Sequence, residues 1–328
     1  MKPLFKRFVL LSTLCLLLFG FYAGQLAPQW KMVETKNLPE ERHENAFVGI
    51  GDRFYLVGGR KMKPVEIYDP KTQLWQKGAM VPLEMHHFQA VTHKGEIFVI
   101  GAFTGGFPHE TPIPDVYIYN PKTDQWRKGG GIPEGRRRGA AGVTVYQDKI
   151  YVVSGIIDGH YDGHVPWFDE YDPATGTWRQ LPDAPQARDH FQAAIADNKL
   201  VVAGGRRSSH RTGNVLNLTV PEVNVYDFKS NSWKPMPAAQ NIPTQRAGCT
   251  AVTMGNKVVV IGGESAQKQA HNQTEAFDVR SNTWQTLAPL QTGRHGTQAI
   301  LYKNKVYIAA GSANQGGGPE LNSMEVLE

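Results

Sequence analysis

Val258-Val259-Val260-Ile261-Gly262-Gly263, followed by Ala276-Phe277-Asp278 and then by Trp284, is one full statement of a sentence the chain repeats. A β-branched run that ends in two glycines reads as a buried strand reaching a close backbone approach. An aromatic-Asp pair, a turn and a tryptophan read as two further strands joined by a hairpin. Phe54-Tyr55-Leu56-Val57-Gly58-Gly59, Val65-Glu66-Ile67-Tyr68-Asp69-Pro70 and Trp75 say the same thing earlier in the chain. Hydrophobic runs of this kind occupy 53–59, 96–101, 149–155, 199–205, 257–263 and 305–311. Six tryptophans, Trp30, Trp75, Trp126, Trp178, Trp233 and Trp284, are spaced by 45, 51, 52, 55 and 51 residues, and Trp167 stands off that beat.

Each period holds a small-apolar strand, the glycine-ended run, the Tyr-Asp strand and the Trp strand, here called a to d. No part of the body shows sustained helical periodicity. Four short strands repeated about every 50 residues imply an all-β fold, a six-bladed β-propeller. The tyrosines and tryptophans then serve blade-to-blade packing. The last repeat stops at strand c, Met324-Glu325-Val326-Leu327-Glu328, and Trp30 has no strands a to c before it. Trp30 to about Val33 is therefore expected to complete the last blade as its strand d, which closes the ring and removes an open sheet edge.

The Gly-Gly, Tyr-Asp-Pro and Trp elements, at this spacing over residues 29–328, resemble the Kelch repeat family. That resemblance implies a six-bladed Kelch β-propeller over 25–328. It says little of function, because such propellers host unrelated activities.

Residues 1–24 read differently. Lys2, Lys6 and Arg7 precede Phe8 to Ala23, a run with 13 apolar members among 16 residues. This is the pattern of a signal peptide or an N-terminal membrane anchor, and it leads us to expect an exported, periplasmic or cell-surface protein. The net charge is +5, and Lys2, Lys6 and Arg7 carry three of those units, which leaves +2 for the remainder. A body so nearly neutral argues against a nucleic-acid partner. The two cysteines, Cys15 in the apolar run and Cys249 in the body, support neither a disulfide in the exported part nor a cysteine zinc site.

In a propeller, the d–a and b–c loops share one face. Most b–c loops are long, about 102–114, 156–168, 206–222, 264–273 and 312–322. Function favours loops on a rigid scaffold. The same face receives Arg42, His43, His86, His87, Arg137, Arg188, His190, Arg246, Arg294 and His295, which precede the a strands. Two readings stand side by side. The arginines bond blade carbonyls and acidic neighbours, or they form a cationic ring that grips a carboxylate or sulfate. The second reading makes an anionic glycan or an acidic protein segment the expected partner, with no cofactor. Asp158, His160, Asp162 and His164 alternate in one loop and could ligate a metal if extended backbone put them on one side. A polar glycine-rich loop is the other reading.

The family contains an exported mutarotase that epimerises N-acetylneuraminate. Gly205 leading to Arg211-Thr212 is similar to that group's Gly-Glu…Arg-Thr stretch. Here Arg206 follows the glycine doublet in place of Glu, and Glu264 after Gly262-Gly263 is the acid that could replace it. The resemblance thus implies Glu264 and Arg211 as catalytic candidates, if the protein is a mutarotase or epimerase of acidic sugars. A structural protein–protein assembly module is the third reading. No Gly-x-Ser-x-Gly, His-Glu-x-x-His or phosphate-loop motif is present.

Overall fold

The computed structural model describes residues 27–328. The leader or anchor read at 1–24 lies outside the described residues. Among the described residues no helix is long and apolar enough to cross a membrane.

Six four-stranded antiparallel sheets follow one another around an axis, with strand a innermost in each. In blade 5 the strands a to d are Thr250–Met254, Lys257–Ile261, Thr274–Asp278 and Thr283–Thr286. Blade 6 takes Ala299–Tyr302, Lys305–Ala309 and Met324–Leu327 from the end of the chain, and Trp30–Met32 supplies its strand d. Trp30 pairs with Leu327, Lys31 with Val326 and Met32 with Glu325, as the tryptophan spacing led us to expect.

The apolar core lies between blades. Val57, Val65 and Tyr55 of blade 1 pack against Ile97, Val99 and Tyr119 of blade 2. Fully burying one such aliphatic side chain is worth about 1.5–3 kcal/mol. The d-strand tryptophans reach backwards to the preceding blade. Trp178 Nε1 donates to the Gly131 carbonyl at 3.0 Å, Trp233 Nε1 to Pro182 at 2.8 Å, and Trp284 Nε1 to Gln240 at 2.9 Å. The glycine that opens each doublet meets the next blade. At Gly262 (φ +62°) a Cβ would lie 2.2 Å from the Arg294 carbonyl oxygen, so only hydrogen fits there.

The axis is plugged below its mouth. At the entry to strand a stand Gln89, Gln192 and Gln298 in blades 2, 4 and 6, and Ala46, Gly142 and Thr250 at the equivalent positions of the blades between. Each glutamine bonds backbone across the axis. Gln89 accepts from Val143 N at 2.8 Å and Ala193 N at 2.9 Å, and Gln192 donates to the Thr297 carbonyl at 3.1 Å. Gln298 donates to the Ala90 carbonyl at 3.0 Å. Cross-axis bonding at buried backbone groups divides the channel into an upper and a lower cup.

Candidate ligand pocket at the propeller axis

The d–a connection of each blade contains the same three-residue turn. Its first member is Arg42, Met85, Arg138, Arg188, Arg246 or Arg294, and its third is Glu44, His87, Ala140, His190, Gly248 or Gly296. All six third members have positive φ, between 51° and 63°. Four of them are not glycine, which is a costly conformation that surrounding structure must enforce. The enforcement is visible. His87 N donates to Glu44 O, Ala140 N to His87 O, His190 N to Ala140 O, Gly248 N to His190 O and Gly296 N to Gly248 O, at 2.6–3.0 Å, and Asn45 N closes the circle on Gly296 O at 3.2 Å. The mouth of the axis is thus a hydrogen-bonded hoop, and its third members project toward the axis while its first members do not.

This offset sends the arginines the other way. Arg42, Arg188, Arg246 and Arg294 are buried inside their blades. Arg42 donates to the Gly58 and Pro64 carbonyls at 3.1 Å and pairs with Glu66 at 2.7 Å. Arg188 binds the Gly204 carbonyl at 2.7 Å and Asn224 Oδ1 at 2.9 Å. Arg246 pairs with Glu275 at 2.5 Å and Arg294 with Glu325 at 2.6 Å. The repeat-equivalent arginine in blade 3 is Arg138, which pairs with Asp169 at 2.8 Å, and Arg137 instead donates to the Ile132 carbonyl at 3.2 Å. The cationic ring is therefore not assembled from these residues, because each guanidinium already satisfies strand-b carbonyls and, in all but blade 4, a strand-c carboxylate. Of the two readings of these arginines, the first is the one the side chains adopt.

The histidines behave differently. His43, His87, His160 and His295, with Glu44, Arg60, Arg206 and Glu264, line a cavity of about 610 Å³ that opens on the d–a/b–c face. Phe107, Val215, Leu216, Gly316 and Gly317 form its lip. His190 lies deeper, beneath His160. His86 turns outward, with Nε2 on the Gly105 carbonyl at 3.0 Å. Burial, with Arg60 nearby, pushes His86 down to about 4. His43 holds Glu320 at 2.6 Å.

Glu264 is the most tied acid in the cup. Its carboxylate accepts from Arg206 Nη1 at 2.5 Å and from Gly316 N at 2.7 Å. Burial would raise its pKa, but His295, Arg206 and the Gly316 N–H outweigh that and hold it well below the usual carboxylate range. Such a group is a poor general base. Arg211 is exposed and pairs with Asp162 at 2.5 Å, outside the cup.

The alternating loop does not gather its four candidate ligands. It folds as a hairpin, Ile156–Asp158 against Asp162–His164. Asp158 faces His109 at 3.0 Å, Asp162 faces Arg211, and His164 Nε2 donates to the Ser208 carbonyl at 2.6 Å. The hairpin turn breaks the extended backbone that would have aligned them and drops only His160 into the axis, against His87 and His190. Glu44, Arg60 and Arg206 went unrecognised as cup residues in the sequence. For Glu44 the signal was present, two residues after Arg42 in the repeating turn.

Residues 26–271 match the Attractin/LZTR1 beta-propeller family, and residues 216–328 match the KLHDC2/KLHL20/DRC7 Kelch-repeats domain. Among curated proteins the chain is similar to Kelch-like protein terF of Aspergillus terreus, 27% identical over 82% of this chain and 61% of that protein. It is also similar to human Kelch-like protein 38, 25% identical over 79% of this chain and 42% of that one. The chain thus spans about half the length of these relatives. The structure titled "Structure of YjhT" superposes with a TM-score of 0.73 over 88% of this chain and 95% of that one, at 17% identity, which is a likeness of fold.

Proposed function

The chain belongs to the Attractin/LZTR1 β-propeller family and is built of Kelch repeats, and from that premise we propose that it is an exported recognition module whose axial cup receives an acidic protein segment. A Kelch propeller supports a protein-binding role, and the features of the cup refine it. One observation carries the reading. Exposed cations flank the cup from the short b–c connection of blade 1 and from the long b–c loop of blade 4, on opposite sides of the axis. They contribute Lys61 from one side and Arg207 and Arg211 from the other. Between them sits the half-exposed ring of Phe107 (53% exposed). An apolar anchor between two basic shoulders fits a strand or turn bearing carboxylates. The basic residues that support this reading are rim residues, not the arginines of the d–a turns.

An anionic glycan would meet the same shoulders and could stack on Phe107. Isomerisation of an acidic sugar has weaker support, because Glu264 is held ionised by Arg206 and Gly316. Export also orients the module. Ala27 and Gln29 lie beside Lys303 and Asn304, the a–b turn of blade 6. A retained anchor would therefore set the a–b/c–d face against the membrane and turn the cup outward.

The test uses acidic-peptide and glycan arrays with the wild type and with Lys61→Glu, Arg207→Glu and Arg211→Glu combined. These three side chains are exposed, so melting should not change. Loss of peptide retention is expected. Unchanged retention of peptides would overturn the reading, as would retention of sialylated or sulfated glycans alone.

A further inference from the structure

His87, His160 and His190 are buried beneath the cup, and each offers a ring nitrogen within 4.8 Å of the others. Their rings are nearly mutually perpendicular or tilted, with centroids 5.0 Å apart for His87–His160, 4.9 Å for His87–His190 and 4.6 Å for His160–His190. Histidines packed for shape alone would satisfy both nitrogens where they could. Here each ring is held by one nitrogen, from outside the cluster.

Asp189, itself fixed by Ser208 N at 3.0 Å and Ser208 Oγ at 2.8 Å, holds His190 Nδ1. A carboxylate accepts, so Nδ1 carries the proton and Nε2 keeps a lone pair. His190 Nε2 is buried without any hydrogen-bond partner. Glu110, anchored by Arg60 at 2.7 Å, holds His160 Nδ1 at 2.9 Å, which leaves His160 Nε2 free in the same sense. His86 commits its Nε2–H to the Gly105 carbonyl, so its Nδ1 is the acceptor for His87 Nδ1–H at 2.6 Å. Three independent outside acceptors therefore set one tautomer on three rings. An acceptor behind each imidazole is how metal-binding histidines are oriented.

We propose that His87, His160 and His190 bind a divalent transition-metal ion of the zinc class, with its remaining coordination position open to the cup. Three neutral imidazoles suit zinc, copper, nickel or cobalt, whereas calcium and magnesium prefer oxygen. Tetrahedral bonds of about 2.1 Å need nitrogens roughly 3.4 Å apart, so the rings must draw inward on binding. His160 stands at a hairpin tip, whereas His87 and His190 stand on the hoop. The Glu44 carboxylate stands 3.6 Å from His87 Nε2, beside the open position. The metal site stands apart from the recognition reading, since uptake of an ion requires no partner. If both hold, the ion supplies a cation where the d–a arginines do not.

The test uses the full chain, stripped with a chelator and dialysed. Zinc is titrated by calorimetry and cobalt(II) by visible absorption. One equivalent should bind with micromolar or tighter affinity, give the intense visible bands of a tetrahedral cobalt site, and raise the melting temperature. His160→Ala should abolish the bands and the thermal shift, while the exposed His109→Ala should keep both. If His160→Ala melts early, Glu110→Gln, which loosens His160 from behind, should weaken uptake in a folded protein. No saturable binding by the folded wild type, or undiminished binding by a folded His160→Ala variant, would overturn the proposal.

Discussion

Arg246 shows how two residues of offset decide a role. Its guanidinium reaches the Gly262 carbonyl at 2.6 Å, the Thr244 carbonyl at 2.6 Å and Glu275 at 2.5 Å, all within buried surroundings. Two positions on, Gly248 sits on the hoop at the axis. In sequence the basic residues before each a strand look like one population. In space they are two, because the positive-φ turn points the first member into the blade and the third into the cup. Removing one partner of a buried pair strands the other charge, at a cost of about 3–5 kcal/mol. Arg246→Ala should lower stability by about that amount, read by urea denaturation. A loss under about 1 kcal/mol, in the range of an exposed pair, would contradict the internal role. Joint replacement of Arg188, Arg246 and Arg294 is for the same reason a test of folding and not of binding.

At the scale of elements, the blades were legible because each strand carries its own period and its own stop. Tyr-Asp turns, glycine doublets and tryptophans recur in register, so strand order and closure follow from counting. The long b–c loops have no such repetition, and their contribution to the cup was not readable. His160 sits in a stretch whose alternation suggested a different cluster, and only the hairpin pairing of Ile156 with His164 shows where it goes. The glutamine plug was present in the sequence too. It shows only when a strands are aligned on the hoop, since Gln89, Gln192 and Gln298 occur in every second blade. The closing strand carries a prediction at this scale. Trp30 is buried and donates from Nε1 to Thr274 Oγ1 of blade 5 at 3.0 Å, so it ties two blades. Deleting residues up to Val33 should leave the Met324–Leu327 edge bare and lower the melting temperature of the whole domain in one cooperative transition. An unchanged melting temperature in calorimetry would refute this role.

For the molecule as a whole, stability depends on charges that join neighbouring blades around the axis. Glu264 of blade 5 binds Arg206 of blade 4 and Gly316 N of blade 6. Its folded-state pKa lies well below its ordinary 4.5, so between those two values the unfolded chain binds the extra proton. The stabilisation is therefore complete above about pH 5 and is lost as pH falls toward the folded value. The difference in melting temperature between wild type and Glu264→Gln should be largest at pH 7 and should shrink below about pH 4.5. Thermal melts from pH 7 to pH 3 check this, and a difference that grows in acid would mean the opposite sign of linkage.

The antiparallel seam that closes the ring also determines how the domain bears load. Gln29 and Glu328 face each other at the same end of that seam, joined by Gln29 N to Glu328 O at 2.9 Å. A force that draws Gln29 and Glu328 apart reaches these bonds in turn, one pair after another, and not all at once. The seam that completes the ring would then open like a zipper from its outer corner. A pull that shears the blade along its strands would instead have to break every bond of the seam together.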